Sequence, residues 1–473
     1  MSVQYLFALA AQSATAYRDA VGEAASPCHY AAMRKGFDAP TPEQGKAASE
    51  VIEELVTLST PGLRAMTGPR FFGWVIGASH PAGVAADWLT SAWGQNAGNH
   101  EASPAAAAAE VVAAKWLLDL LELPREASVG FVTGATVANF VCIAAARGEV
   151  LRRAGWDVEA DGLFGAPQIL VLIGDDAHTS VFSALQFLGL GRDRVVRVAT
   201  DAEGRMLPAA FTRALAGGNG PTIVITQAGQ INTGAFDPIE AILPEARAHD
   251  AWVHVDGAFG LWARACAGTA HLASGYELAD SWATDGHKWL QTPYDCGYAI
   301  VRDAEAHRRA MTIAASYLPP VAEGERDPTH FVPELSRRAR GFATWAMIRH
   351  LGRAGIAALV EGHCRLAVRF AERLVCEPGV YVLNDVVLNQ VIVRFGTPEV
   401  GETADRLTRE TILRLQADGT CFAGGARWHD RWVMRLSVIS APTAKADIDR
   451  SCDAICAVWR SVASRNSTAG APQ

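Results

Sequence analysis

The sequence has no Cys-x-x-Cys pair, and its nine cysteines are scattered. That spacing argues against a zinc site and against a disulfide framework; it favours free thiols in a reducing compartment. No metal ion is expected. Long apolar runs are also missing. Tyr5 to Ala11 is apolar but too short to span a bilayer, and no basic leader precedes it. The expectation is a cytoplasmic protein with no membrane partner. Nor is there an excess of positive charge. Lys and Arg number 42 against 50 Asp and Glu, a net charge of −8, which excludes nucleic acid as the main partner. Local clusters such as Arg337-Arg338-Ala-Arg340 remain possible anion sites. There are no tandem repeats, and low complexity is confined to Ala105–Ala109.

What is present is apolar material on a large scale. Half of the 473 residues are hydrophobic and 19% are charged, enough for a large core and two or three domains. The first sixty residues read as helices broken by Gly36 to Pro42, an arm with little core of its own. Ala105 to Leu121 reads as a strong helix started after Ser103-Pro104. From Val129 onward, short β-like runs alternate with helical segments. The runs are Val129–Thr133, Gln168–Ile173, Val195–Val198, Thr222–Thr226, Trp252–Val255 and Tyr298–Val301. The helices include Val137–Arg153, Thr179–Leu188 and Pro238–His249, the last with Asp237 as N-cap and Glu240 as capping glutamate.

Such alternation predicts an α/β fold with a mainly parallel sheet covered on both faces. Tyr317–Phe331 is rich in Pro, Glu and Gly and reads as a mobile loop. Beyond Gly341, long helices and short strands, including Val386–Phe395 and Trp432–Val438, predict a smaller α+β domain. The expected organisation is an arm over 1–100, a large domain over 101–340, and a small domain over 341–473 whose tail from Ser464 lacks fixed structure.

Two segments carry the chemistry. In Ser281-Trp-Ala-Thr-Asp-Gly-His-Lys-Trp-Leu290, Lys288 stands between His287 and Trp289 after a β-like run. An amine shielded from water loses its proton more easily and can attack a carbonyl. In His254-Val-Asp-Gly-Ala-Phe259, Asp256 ends an apolar strand, where ligands of parallel sheets bind. An aldehyde cofactor with a pyridine ring needs both groups: an amine for a Schiff base and a carboxylate for the ring nitrogen. Ala258 shares the face of Asp256 and is small enough for a ring to lie flat. Thr133-Gly134-Ala135-Thr136 joins a strand to a helix and offers backbone amides and a hydroxyl to a phosphate, although such turns are often glycine-rich for structural reasons. Arg435 suits a substrate carboxylate, but also reads as an ordinary strand arginine.

In order and context these motifs resemble the pyridoxal-phosphate-dependent group II amino-acid decarboxylases, over roughly Phe71 to Ile455. The resemblance implies a fold-type I enzyme with a seven-stranded sheet in the large domain, pyridoxal 5'-phosphate as cofactor, and a homodimer joined through the arm. It implies that His178 stacks on the cofactor ring, where a lone histidine at a helix start would otherwise be a cap. It implies that His287 supports the lysine or the phosphate. Phe72 and Trp74, in Gly68-Pro-Arg-Phe-Phe-Gly-Trp74, would line the substrate site, or else form an apolar turn. Tyr317 would protonate Cα from the mobile loop, with His330 and His178 as reserves, or else anchor the loop base.

Three departures stand out. Gln230-Ile231 replaces a Thr-Thr pair, so a hydroxyl near the cofactor comes from Asn232 or Thr233 or is missing. Asp285-Gly286 replaces Asn-Pro, so Asp285 should turn away or pair with a cation. The loop after Tyr317 has its own composition. The implied reaction is α-decarboxylation of an L-amino acid whose amine displaces Lys288. The alternatives keep the cofactor and change the outcome: aldehyde-forming oxidative deamination, transamination or carbon–carbon cleavage. Intact Asp256 and Lys288 weigh against a non-enzymatic binding protein.

Overall fold

The computed structural model describes residues 2–23, 26–312 and 326–468. Its centre is a seven-stranded sheet in the order β1-β7-β6-β5-β4-β2-β3. The strands are β1 (Ser128–Val132), β2 (Leu170–Gly174), β3 (Val196–Val198), β4 (Thr222–Gln227), β5 (Trp252–Asp256), β6 (Ser281–Asp285) and β7 (Gly297–Val301). Strands β2 to β6 pair in parallel, while β7 runs antiparallel to both β1 and β6.

The sheet is buried on both faces because alternate side chains feed two separate cores. Leu172, Val224, Val253 and Val255 point into one core with Leu117, Phe211 and Ile242. Val171, Ile173, Ile223 and Ile225 point into the other, against Val141, Ile143 and Val150 of the helix Ala135–Arg153. This double burial is why the strands read as near-continuous apolar runs.

A second, antiparallel sheet has the order β10-β11-β9-β8, formed by β8 (Val380–Val382), β9 (Gln390–Phe395), β10 (Gly424–Trp428) and β11 (Arg431–Ser437). Its core takes in Leu415 of the helix Glu402–Asp418, Ile455 of the helix Lys445–Thr468, and Phe370. Phe370 lies on the long helix Arg340–Leu374, which is interrupted at Gly352, where φ is +61°. That left-handed conformation favours glycine.

The N-terminal helices Val3–Ala20, Tyr30–Phe37 and Ala48–Ser59 bury no residue in this chain. They leave Tyr5, Phe7, Tyr30, Val51 and Leu55 exposed. Among the described residues, no helix is long and apolar enough to cross a membrane, and no group of His, Cys, Asp and Glu could hold a metal ion.

Several expectations need correction. Asp237 does not cap the following helix, Ile239–Ala248, whose N-cap is Pro238. Its carboxylate instead accepts the backbone N–H groups of Met206 and Gln227, each at 2.7 Å, and so locks a buried turn. Strand β9 begins at Gln390, not Val386. The last six residues of the expected mobile loop are anchored: Arg326 donates to the Val129 carbonyl and Pro328–Phe331 forms a 3-10 turn. Helix continues through the start of the expected unstructured tail, Ser464 to Thr468; the remainder of that tail lies outside the described residues.

Candidate active site

Asp256 and Lys288 come from neighbouring strands. Asp256 ends β5, and β6, paired with it in parallel, ends at Asp285 and turns through Gly286-His287 into Lys288. Both side chains line one cavity of about 270 Å³ at the carboxyl ends of these strands, where ligands of open α/β sheets bind. His178, Ala258 and Gly134-Ala135-Thr136 line the same cavity.

The Asp256 carboxylate is buried, and its hydrogen bonds are long. Asn139 Nδ2 and the Ala258 N–H donate to it, each at 3.3 Å. Burial pushes this carboxyl up, while the charge of Lys288 and the hydrogen bonds from Ala258 and Asn139 pull it back. A buried carboxylate with acceptor capacity to spare fits a positively charged N–H donor in the cavity. Lys288 Nζ lies 2.9 Å from Asp285 Oδ2, so the carboxylate that departs from the expected motif does pair with a cation. The other oxygen, Oδ1, accepts the Ala135 N–H at 2.6 Å.

His178 is both a cap and a cavity residue. Its Nδ1 accepts the Ser180 N–H at 3.2 Å, which starts the helix Thr179–Phe187. Burial lowers its pKa, with Asp256 acting in the opposite direction, so the ring is held neutral with Nε2 free to carry the proton. His287 is likewise lowered by burial. Its Nδ1 accepts the Cys296 N–H at 3.2 Å, which leaves Nε2 on the Asp285 side, 3.5 Å from Oδ1. A Cβ at position 134 would sit 3.0 Å from the His287 ring, so glycine lets turn and ring approach closely.

Arg435 reaches the site from β11. It donates to the Ile231 carbonyl, and Ile231 lines the cavity. Burial brings its guanidinium down to about 10, and among the described residues its Nε has no partner. A buried fork without its anion fits a carboxylate ligand.

Three expected residues do not meet here. The Thr233 hydroxyl donates to the Glu203 carbonyl at 2.7 Å and is used up in its own turn. Phe72 is fully buried and packs edge-on against Phe370 in the core of the second sheet; its N–H donates to the Phe422 carbonyl. Trp74 is half exposed and packs against Phe71 and Phe422. An aromatic cluster between glycines fixes a packing requirement but not which core meets it. Tyr317 lies outside the described residues. His330 sits in the turn Pro328–Phe331 and does not line the cavity. Sequence reasoning missed Asn139, Gln227 and Phe259. The signal for Asn139 was a lone amide in the apolar run Val137–Ala146, one helical turn beyond Ala135.

The cavity fits pyridoxal phosphate on its own chemistry. It has an amine at Lys288, an under-satisfied carboxylate at Asp256, a small residue at Ala258, and a helix start at Gly134–Thr136 for a phosphate.

Comparison with known proteins agrees. The pyridoxal-dependent decarboxylase conserved domain matches residues 31–395. Tryptophan decarboxylase 1 of Oryza sativa subsp. japonica is 29% identical over 416 residues, 82% of this chain and 80% of that protein. The 4-hydroxyphenylacetaldehyde synthase of Rhodiola rosea is 25% identical over 421 residues, 86% of this chain and 84% of that protein. In fold, the crystal structure of Oryza sativa TDC with PLP and tryptamine superposes with a TM-score of 0.90, covering 97% of this chain and 98% of that one at 24% identity.

Proposed function

The chain belongs to the pyridoxal-dependent decarboxylase family and is a pyridoxal-phosphate-dependent carboxy-lyase, and we propose that it converts an L-amino acid to the amine by α-decarboxylation. One observation carries the reading: Arg435, a buried guanidinium with no carboxylate partner among the described residues, donates to the carbonyl of Ile231, which lines the cavity that holds Lys288 and Asp256.

Pyridoxal phosphate, when bound, supplies the aldehyde for Lys288 and a ring that takes up the electrons released at Cα. The chain's own groups do the rest. The Lys288 amine is held against Asp285 until the cofactor engages it. Asp256 would hold the ring nitrogen by accepting its N–H, which would keep positive charge there. Arg435 grips the substrate carboxylate, which fixes the direction in which carbon dioxide leaves. Ile231 and Phe259 exclude water from that side. The Cα proton would be delivered by Tyr317, with the protonated form of His178 as the reserve within the cavity.

The finer reading includes a homodimer, supported by the first three helices of the arm, which bury no residue in this chain, and a cytoplasmic setting, supported by nine cysteines that form no disulfide. We take 1–100, 101–340 and 341–473 as its functional units, with Phe71–Phe72 of the first pairing onto the third at Phe422. A second reading, release of an aldehyde, is favoured by the name of the Rhodiola rosea relative.

Relatives named for tryptophan and hydroxyphenyl products put aromatic amino acids first in the test. Carboxyl-labelled amino acids, aromatic and acidic, are supplied one at a time. Carbon dioxide, amine, aldehyde, ammonia and hydrogen peroxide are measured together. Equal carbon dioxide and amine is the expected result. Equal aldehyde and peroxide would establish the second reading, and no carbon dioxide from any amino acid would overturn both.

A further inference from the structure

Asp256 is the end of a longer chain of buried groups. Trp252 Nε1 donates to Ser281 Oγ at 2.9 Å, and Ser281 Oγ lies 2.9 Å from His254 Nδ1. His254 Nε2 lies 2.9 Å from Asn139 Oδ1, and Asn139 Nδ2 reaches Asp256 at 3.3 Å. Trp252, Ser281, His254 and Asn139 are all essentially without solvent exposure. The sequence builds this by register. His254 and Asp256 share a face of β5, Ser281 stands beside His254 in the parallel ladder, and Asn139 lies one turn after Ala135 at the phosphate end.

The direction of these bonds follows from their ends. Against a carboxylate, Asn139 must present its NH₂, so its carbonyl oxygen faces His254. His254 Nε2 must then carry a proton. Burial drives this imidazole down to about 3, so the ring is neutral and Nδ1 is bare. Ser281, already accepting from Trp252, donates its hydroxyl proton to that nitrogen. Every donor points toward Asp256, and no polar atom of the four is left unused.

We propose that Asn139 and His254 are positioning residues for Asp256, holding it as a carboxylate aimed at the ring-nitrogen end of the cofactor. The inference rests on the reading that Asp256 meets that nitrogen. Removing Asn139 would leave the Asp256 carboxylate with the Ala258 N–H as its only hydrogen bond from the described residues. Because Asn139 stands on the helix whose first turn lines the same cavity, one rigid element would set both ends of the cofactor.

The test is equilibrium uptake of two ligands by the cofactor-free protein: pyridoxal phosphate, and its analogue with a ring C–H in place of the nitrogen. Wild type should prefer the natural ligand, and Asp256→Ala should lose that preference. Asn139→Leu should lower it about tenfold, ~1.4 kcal/mol, with little change in affinity for the C–H analogue. A purely structural role would weaken both ligands alike. The proposal is overturned if Asn139→Leu keeps the wild-type preference while Asp256→Ala loses it. If Asp256→Ala also keeps it, the reading of Asp256 itself fails and the proposal with it. Should Asn139→Leu not fold, Ser281→Ala removes only the outer hydroxyl and should lower the preference about twofold; an unchanged preference counts against the chain. Histidine-selective ¹⁵N NMR of the wild type adds a measurement that needs no inner variant. The signal moved by Ser281→Ala must report a neutral ring protonated on Nε2; a proton on Nδ1 contradicts the assigned direction.

Discussion

Asp285 bridges Lys288 and the start of the helix Ala135–Arg153: one oxygen lies 2.9 Å from Lys288 Nζ and the other accepts the Ala135 N–H at 2.6 Å. Both side chains are largely shielded, with 13% of Lys288 and 3% of Asp285 exposed. Removing one member of such a pair strands a buried charge, at a cost of ~3–5 kcal/mol. Asp285→Ala should therefore destabilise the cofactor-free protein by about that amount in urea unfolding. The loss should shrink once cofactor is bound and Lys288 has another partner. Equal loss in both forms would show that the carboxylate serves the turn rather than the lysine.

Arg435 gives the opposite pattern. Its guanidinium is buried without an anionic partner among the described residues, so the free protein bears the cost of desolvating it. Arg435→Met should leave stability unchanged or raise it, while kcat/KM falls on the order of 100-fold, ~2.7 kcal/mol. A large fall in stability with kcat/KM preserved would make it an ordinary strand residue.

Much of this site was legible because it sits on regular elements. Asp256 and Lys288 each follow a short apolar strand, and such strands end where ligands bind. Strand direction was less legible. Gly297–Val301 is a five-residue apolar run like its neighbours, and nothing in such a run says that it is antiparallel. Strand β10, Gly-Gly-Ala-Arg-Trp, was hidden because an edge strand with few apolar residues has no β pattern. Order along the chain does not say to which side a turn directs a side chain: Phe72 packs into the core of the second sheet, and the Thr233 hydroxyl donates to the Glu203 carbonyl.

Acid sensitivity follows from buried imidazoles. Burial takes His254 and His307 down to about 3 and His363 to about 4, against an unfolded value near 6.5. Below about pH 6.5 the unfolded chain binds protons that the folded one refuses, so stability falls as pH falls, by ~1.4 kcal/mol per pH unit for each net proton. Asp237, raised to about 6 by burial, opposes this between about pH 4 and 6, because the folded state holds the extra proton there. His363→Gln should make the acid slope of unfolding free energy shallower by about one proton. Identical slopes for wild type and variant would contradict the assignment.

The N-terminal arm makes a prediction about assembly. Tyr5, Phe7, Val51 and Leu55 are exposed on helices that bury nothing. Sedimentation equilibrium should return twice the chain mass of 50.3 kDa. Val51→Asp with Leu55→Asp should weaken the dimer at least tenfold. An active monomer at assay concentration would reject the arm as a dimer contact.

The central claim is that Lys288 carries the cofactor opposite Asp256. The chain has only five lysines, Lys35, Lys46, Lys115, Lys288 and Lys445, and all but Lys288 are exposed. Borohydride reduction of the loaded enzyme, followed by peptide mass mapping, tests the claim most directly. The mass of the reduced cofactor should appear on the peptide containing Lys288, at one per chain, and should vanish in Lys288→Ala together with turnover; cofactor mass on another lysine, or turnover surviving in Lys288→Ala, would contradict it.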